Sequence, residues 1–166
     1  MKKKKNIIIN LFILNLLLLG IDQYLKFFAH NNQSYSYYLL KPYIGWEYLA
    51  NPGIAFSLPI PNTLIIFITP LIILTLIFFL KNKYHKNNIV FSLGLTLIIS
   101  GAISNFIDRV LFEITIDYIR IYTSVINLAD IMIISGTLLL IFYQKRKEKM
   151  ENKLDDFIYT SKKDKK

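Results

Sequence analysis

Residues 89–109 read Ile89-Val-Phe-Ser-Leu-Gly94-Leu-Thr-Leu-Ile-Ile-Ser100-Gly101-Ala-Ile-Ser104-Asn105-Phe-Ile107-Asp108-Arg109. The run from Ile89 to Ile107 carries no charge and ends on an Asn, an Asp and an Arg. As a helix rising 1.5 Å per residue it is about 28 Å long, close to the roughly 30 Å hydrocarbon core of a bilayer. Three more runs are predominantly apolar: Ile7–Ile21, Thr63–Leu80 and Val125–Tyr143, the last with Asp130 near its start. The first is short, but Asp22-Gln-Tyr-Leu-Lys26-Phe-Phe28 continues it into the interface. The spans are therefore expected at about 7–28, 63–80, 89–107 and 125–143, with a basic tail over 144–166. A secretory signal peptide is the competing reading of the amino end. No small-x-small cleavage site follows Ile21, and further spans come after it.

Composition agrees. The chain has 166 residues, 54% of them hydrophobic, and its mean hydropathy is +0.41. A soluble domain of this length lacks the polar groups to cover so much apolar surface. The expected fold class is an α-helical polytopic membrane protein, one membrane-embedded domain over residues 1–166. Cysteine is absent, which excludes disulfides, a thiolate nucleophile and thiolate metal sites. His30 and His85 lie in different polar segments and no HExxH occurs, so neither a metal nor another cofactor is expected.

Charge orients the bundle. Sixteen of the twenty Lys and Arg fall in Lys2–Lys5, in the 81–88 loop and after Tyr143. Lys26, Lys41, Arg109 and Arg120 occupy the other side. The positive-inside rule then makes the termini and the 81–88 loop cytoplasmic. The net charge of +9 is thus concentrated beside the cytoplasmic membrane face, where anionic lipid is the expected neighbour, and no nucleic-acid partner is expected. The outer segment 29–62 is rich in Tyr, with Trp46, and is broken by Pro and Gly, so short strands or extended turns are expected there. Ile114–Tyr122 is β-branched and aromatic, and is expected to be extended.

The polar residues cluster at the outer ends of the spans. Asp22 and Lys26 share a helix face and can pair, as a structural anchor or as a substrate contact. Gly101, Asn105 and Asp108 share another, with Arg109 four after Asn105 and small Ser100 and Ser104 beside them. Helix packing through small residues accounts for Gly101 and part of Asn105, but two ionisable groups need partners. Asn127 and Asp130 open the fourth span, and Asp130 lies about 8 Å inside the run that starts at Val125. A carboxylate at that depth is a functional candidate, set against a role as a cap or as a partner of Arg109. The outer side holds Asp22, Glu47, Asp108, Glu113, Asp117 and Asp130, with His30 its one histidine. Acid–base chemistry there falls to carboxylates. Two that share a proton cannot both ionise, so one becomes the acid. A carrier would place charge nearer the midplane, and a scaffold would need none of it.

Asp22-Gln-x-x-Lys26, Asn51-Pro-Gly53-Ile-Ala55-Phe56-Ser57, Gly101-x-x-x-Asn105-x-x-Asp108-Arg109, Ile116-Asp117-Tyr118 and Asn127-x-Ala129-Asp130 occur in this order. Together they resemble the lipoprotein signal peptidases (signal peptidase II) of bacteria, over positions 22–130. The resemblance implies a monomeric aspartyl endopeptidase of the cytoplasmic (inner) membrane. It would remove the signal peptide of prolipoproteins by cutting before a cysteine that bears diacylglyceryl. It further implies four spans with a small extracytoplasmic β-cradle around residues 29–60. Asp117 and Asp130 match the catalytic pair, and Asp108 a supporting residue. Asn51, Gly53, Asn105, Arg109 and Asn127 match positions that shape the site or hold substrate, with Asp22 and Lys26 beside them. Three departures stand out: Ser100 and Ser104 replace glycines, Pro52 follows Asn51, and the stretch from Asp117 to Asp130 is several residues shorter than usual, which bears on substrate gating.

Overall fold

The computed structural model describes residues 2–53, 61–84 and 88–163. Ile54, Ala55, Phe56 and Ser57 of the second motif, and His85 and Lys86 of the basic loop, lie outside the described residues. The elements run α1 (Lys2–Asn31), β1 (Ser36–Leu40), β2 (Ile44–Asn51), α2 (Asn62–Tyr84), α3 (Ile89–Phe112), β3 (Thr115–Ile121), β4 (Ser124–Ile126) and α4 (Leu128–Lys163). Stretches of all four helices are long and apolar enough to cross a membrane: Ile9–Asn31, Asn62–Lys81, Ile89–Phe112 and Leu128–Leu154. The protein is a multi-pass membrane protein.

The burial pattern is that of a bilayer solvent. Phe12, Phe67 and Phe78 are each more than 60% exposed, while Asp22, Lys26, Ser104, Asp108, Asp117 and Asn127 are buried. Apolar side chains face lipid and the polar ones pair inside, because hydrocarbon offers them no hydrogen bonds. α3 lies against the other three helices. Its crossing with α4 is close because glycines face backbone. A Cβ on Gly101 would sit 2.5 Å from the Ala129 carbonyl oxygen. One on Gly136 would sit 2.5 Å from that of Gly94. Asn15 adds an interhelical bond from α1, donating to Thr96 Oγ1 at 3.1 Å.

The four strands form one antiparallel sheet, in the order β1-β2-β3-β4. The sheet lies at one end of the bundle, since β1–β2 joins α1 to α2 and β3–β4 joins α3 to α4. It is larger than the 29–60 cradle expected from sequence, because residues 115–126 supply half of its strands. Alternation along β3 puts Ile116 and Tyr118 against Ala29, Leu25 and Trp46, and so turns Asp117 to the opposite face. Val125 and Ile126, expected to open the fourth span, belong to β4, and α4 starts at Leu128. Asp130 is accordingly in the first turn of α4, not a turn and a half inside it. The β-branched pair fits a strand edge, and Asn127 then caps the helix. The expected tail of 144–166 is helical through Lys163, as a continuation of α4.

Candidate active site

α1 contributes Asp22 and Lys26, one turn apart on the face toward α3. Lys26 Nζ lies 3.0 Å from Asp22 Oδ2 and 2.9 Å from Asp108 Oδ2, and donates to Asn105 Oδ1 at 2.7 Å. All three ionic groups are at most 1% exposed. Two buried carboxylates against one ammonium are tolerable only if other donors complete them. Asp22 accepts from Ser104 Oγ at 2.6 Å, Tyr118 Oη at 2.8 Å and the Ala129 amide at 3.2 Å. Asp108 accepts from the Ile116 amide at 3.1 Å and Gln23 Nε2 at 3.2 Å. Gln23 also reaches Ser104 Oγ at 2.8 Å. Asp22 and Asp108 are thus fixed by donors from α1, α3, β3 and α4. Their burial favours the anchor reading of the Asp22–Lys26 pair over direct contact with a substrate.

The start of α4 is a reciprocal cap. Asn127 Oδ1 accepts from the Asp130 amide at 2.8 Å, and Asp130 Oδ2 accepts from the Asn127 amide at 3.3 Å. Asp130 Oδ1 accepts from Asn105 Nδ2 at 2.9 Å. Asn127 Nδ2 faces β3, donating to Asp117 Oδ1 at 2.7 Å, with the Asn105 Oδ1 and Ile116 carbonyl oxygens at 3.2 and 3.3 Å. On the far side of Asp117, Asn51 Nδ2 donates to Oδ2 at 2.9 Å. Asn51 Oδ1 accepts from the Gly53 amide at 3.0 Å. Arg109 closes the chain, donating through one Nη to the Gly53 carbonyl and through the other to Asn62 Oδ1 at 3.3 Å.

Asp117 is buried, whereas Asp130 is half-buried. Burial pushes the Asp117 carboxyl up to about 7, and the Asp130 charge pushes the same way. The bonds from Asn51 and Asn127 pull against both. At neutral pH Asp117 is poised between its acid and carboxylate forms. Burial also raises the neighbouring Tyr118 phenol, so Tyr118 acts as a neutral donor toward Asp22. The outer edge of the sheet is ordinary by comparison. Glu47 is drawn down to about 2 by the bond from Arg120, helped by the Tyr38 hydroxyl, and is a fixed surface anion.

The ten residues matched to the site from sequence join this one network: Asp22, Lys26, Asn51, Gly53, Asn105, Asp108, Arg109, Asp117, Asn127 and Asp130. The partners of the two adjacent ionisable groups are separate. Asp108 is held by Lys26, Gln23 and the Ile116 amide, and Arg109 by Gly53 and Asn62, so the alternative of Asp130 as a partner of Arg109 is not what the structure shows. Adjacent helical residues point about 100° apart, so Arg109 faces the Asn51–Gly53 segment while Asp108 faces α1. Sequence reasoning did not single out Gln23, Ser104 and Tyr118 for the site. Ser104 and Asp108 lie one turn apart, which was a readable sign that both face α1. A Tyr on the core face of a strand needs a partner for its hydroxyl.

A family model for signal peptidase (SPase) II matches residues 14–145. The chain belongs to the signal peptidase II family. It is 37% identical over 140 residues to the lipoprotein signal peptidase of Bartonella henselae, which covers 78% of this chain and 85% of the relative. It is 36% identical over 155 residues to that of Bartonella quintana (86% and 92%), and 27% identical over 139 residues to that of Listeria welshimeri (80% and 90%). Two bacterial membrane enzymes solved by the in meso method share the fold. One has TM-score 0.75 at 21% identity, over 84% of this chain and 89% of that one. The other has TM-score 0.68 at 23% identity, over 81% and 92%. As a signal peptidase II family member, the chain is a membrane-embedded protease.

Proposed function

We propose that this signal peptidase II family member cuts prolipoproteins just before a cysteine bearing diacylglyceryl, with a water activated between Asp117 and Asp130. The observation that carries the reading is Asn127: its side-chain amide donates to the Asp117 carboxylate and its backbone amide donates to the Asp130 carboxylate, so one residue holds both acids. Their environments differ as a general acid and a general base require. In this reading the buried Asp117, pushed up to about 7, holds the proton, and Asp130, bonded by the Asn105 amide and the Asn127 backbone amide, is the base.

In this reading Asp130 takes a proton from the water as its oxygen attacks the scissile carbonyl carbon. Asp117 then gives its proton to the amide nitrogen as the carbon–nitrogen bond breaks. The products are a new carboxyl on the signal peptide and a free amine on the lipidated cysteine. Passage of the proton from Asp130 to Asp117 restores the starting state. Lys26, Asp22 and Asp108 keep fixed charges and hold the frame. Arg109 and Asn51 hold the Gly53 backbone, where a substrate strand would lie. Membrane lipid surrounds the substrate's acyl chains, no metal, cofactor or nucleic acid takes part, and the enzyme acts as a monomer. The site lies near the outer face of the bacterial cytoplasmic (inner) membrane, with the termini in the cytoplasm. The test is incubation of the purified protein in detergent with a lipidated prolipoprotein and with its unlipidated form, each with and without a chelator. Cleavage of the lipidated form alone, unaffected by chelator, is expected. Loss of cleavage in chelator, restored by zinc, would refute the two-aspartate mechanism.

A further inference from the structure

α4 is longer than a span requires. Its 36 residues make a helix of about 54 Å, against roughly 30 Å of hydrocarbon. About twenty residues from Leu128 cross the apolar layer, so the helix leaves it near Lys147. Beyond that point α4 still carries Met150 and Leu154, 65% and 58% exposed. These two and Phe142 line a groove of about 950 Å³ that reaches the start of α3 at Asn88 and Val90. Arg146, Lys147 and Lys153 line the same groove. Glu151 is its one acid and is engaged by Lys147 at 3.3 Å. Among the described residues, Arg146 and Lys153 have no carboxylate within ion-pair distance. They lie seven residues apart, two turns on one helix face.

We propose that this groove binds an anionic glycerophospholipid from the leaflet opposite the active site. The phosphate sits between Arg146 and Lys153, with the acyl chains running along Phe142 toward the hydrocarbon. Charge complementarity selects the occupant. Among the described residues, the groove offers two cations with no carboxylate within ion-pair distance, Arg146 and Lys153. The apolar wall needs an occupant with a hydrocarbon part, which a free anion lacks. A lipid at the level where α4 leaves the bilayer supplies both.

The experiment follows thermal unfolding of the full chain in mild detergent as the mole fraction of phosphatidylglycerol or phosphatidylcholine is raised, with inorganic phosphate as a further arm. Arg146→Gln/Lys153→Gln is compared with Lys145→Gln/Lys149→Gln, which removes the same charge from the same helix outside the groove. Phosphatidylglycerol is expected to raise the midpoint of the wild type, and phosphatidylcholine and phosphate are not. The groove variant should need roughly twenty-five-fold more phosphatidylglycerol, about fivefold for each charge removed, while the control pair stays near wild type. Arg146→Lys/Lys153→Arg should restore binding. Leu154→Glu should weaken it with both cations in place. Equal losses in the groove and control variants would reduce the effect to diffuse surface charge and overturn the site. Protection by phosphate as strong as that by phosphatidylglycerol would overturn the lipid as occupant.

Discussion

Asn127 spans the distance between two carboxylates whose environments differ, and most of what the site does follows from that. If Asp117 and Asp130 supply the proton and the base, as proposed, Asp117→Asn and Asp130→Asn should each lower cleavage by at least about a thousandfold while leaving the protein folded. Asp108→Asn should keep measurable turnover but lose stability, because it leaves Lys26 Nζ short of one of its two carboxylates. Cleavage of lipidated substrate and thermal midpoints in detergent separate the two outcomes. The pH dependence has a definite sign. In the proposed mechanism Asp117 is the acid, and burial pushes its carboxyl up to about 7 from an ordinary 3.8. kcat/KM should therefore fall as pH rises through about 7, with an apparent pKa that belongs to the pair. The same shift means that the folded state keeps a proton which the unfolded chain has released. Stability should thus decline from about pH 4 to pH 7, and Asp117→Asn should remove that decline. A third outcome concerns Tyr118, whose hydroxyl donates to Asp22 and accepts from the Leu128 amide at 3.2 Å. It ties the strand of Asp117 to the helix of Asp130. Tyr118→Phe should cost about 1.5–3 kcal/mol of stability and lower kcat more than it raises KM. The Asp22–Lys26 pair was legible in the sequence because spacing within one helix defines it, whereas Asp117 and Asp130 were marked out through the family resemblance, by Ile116-Asp117-Tyr118 and Asn127-x-Ala129-Asp130. The bonds of Gln23, Ser104 and Tyr118 cross between elements more than eighty residues apart, or nearly a hundred for Tyr118, and no local pattern encodes them.

At the level of elements, the site is held by how closely α3 and α4 approach. Gly101 on α3 faces the Ala129 carbonyl, one residue before Asp130, with Ile133 beside it. Gly101→Val would drive a side chain into that backbone and push the start of α4 off α3. Asn105, one turn further along α3, would then lose Asp130. A drop in kcat of about a hundredfold is expected, since misplacement by about 1 Å has that effect. Gly136→Val, at the other end of the crossing, should cost stability more than activity, and a comparison of the two variants checks the claim. The helices were readable because a span has a length and a composition that few other structures share. The sheet was readable only in part. β3 showed its β-branched and aromatic character, but Val125 and Ile126 read as the start of a span because an apolar strand pair and an apolar helix turn look alike over two residues. The reciprocal cap of Asn127 and Asp130 is what marks the true start of α4, and it was present in the sequence as an Asn-x-x-Asp spacing.

Across the whole molecule, the polar network and the basic residues lie at opposite ends of the bundle. The network joins the ends of α1 and α3, the start of α4 and the sheet, while Arg146, Lys147, Lys149 and Lys153 lie some sixteen to twenty-three residues further along α4 than Asp130. That asymmetry was legible because loop charge is counted, not folded. Its consequence is an orientation. Basic residues near span ends tend to stay on the cytoplasmic side, so the proposed orientation has the termini and the 81–88 loop there. In that orientation the segment of β1 and β2 faces outward, where a translocated signal peptide would arrive. A reporter fused after Tyr143 should read cytoplasmic, and one inserted near Ser34, between α1 and β1, should read external. The reversed pattern would put Asp117 and Asp130 on the cytoplasmic side, out of reach of exported substrates, and would remove the proposed lipid site from the cytoplasmic leaflet. Neutralising Lys2–Lys5 alone should not invert the chain, because the larger share of the charge lies in the 81–88 loop and beyond Tyr143. Removing the tail charges as well should give a mixed population, measurable as partial external labelling at the carboxyl end.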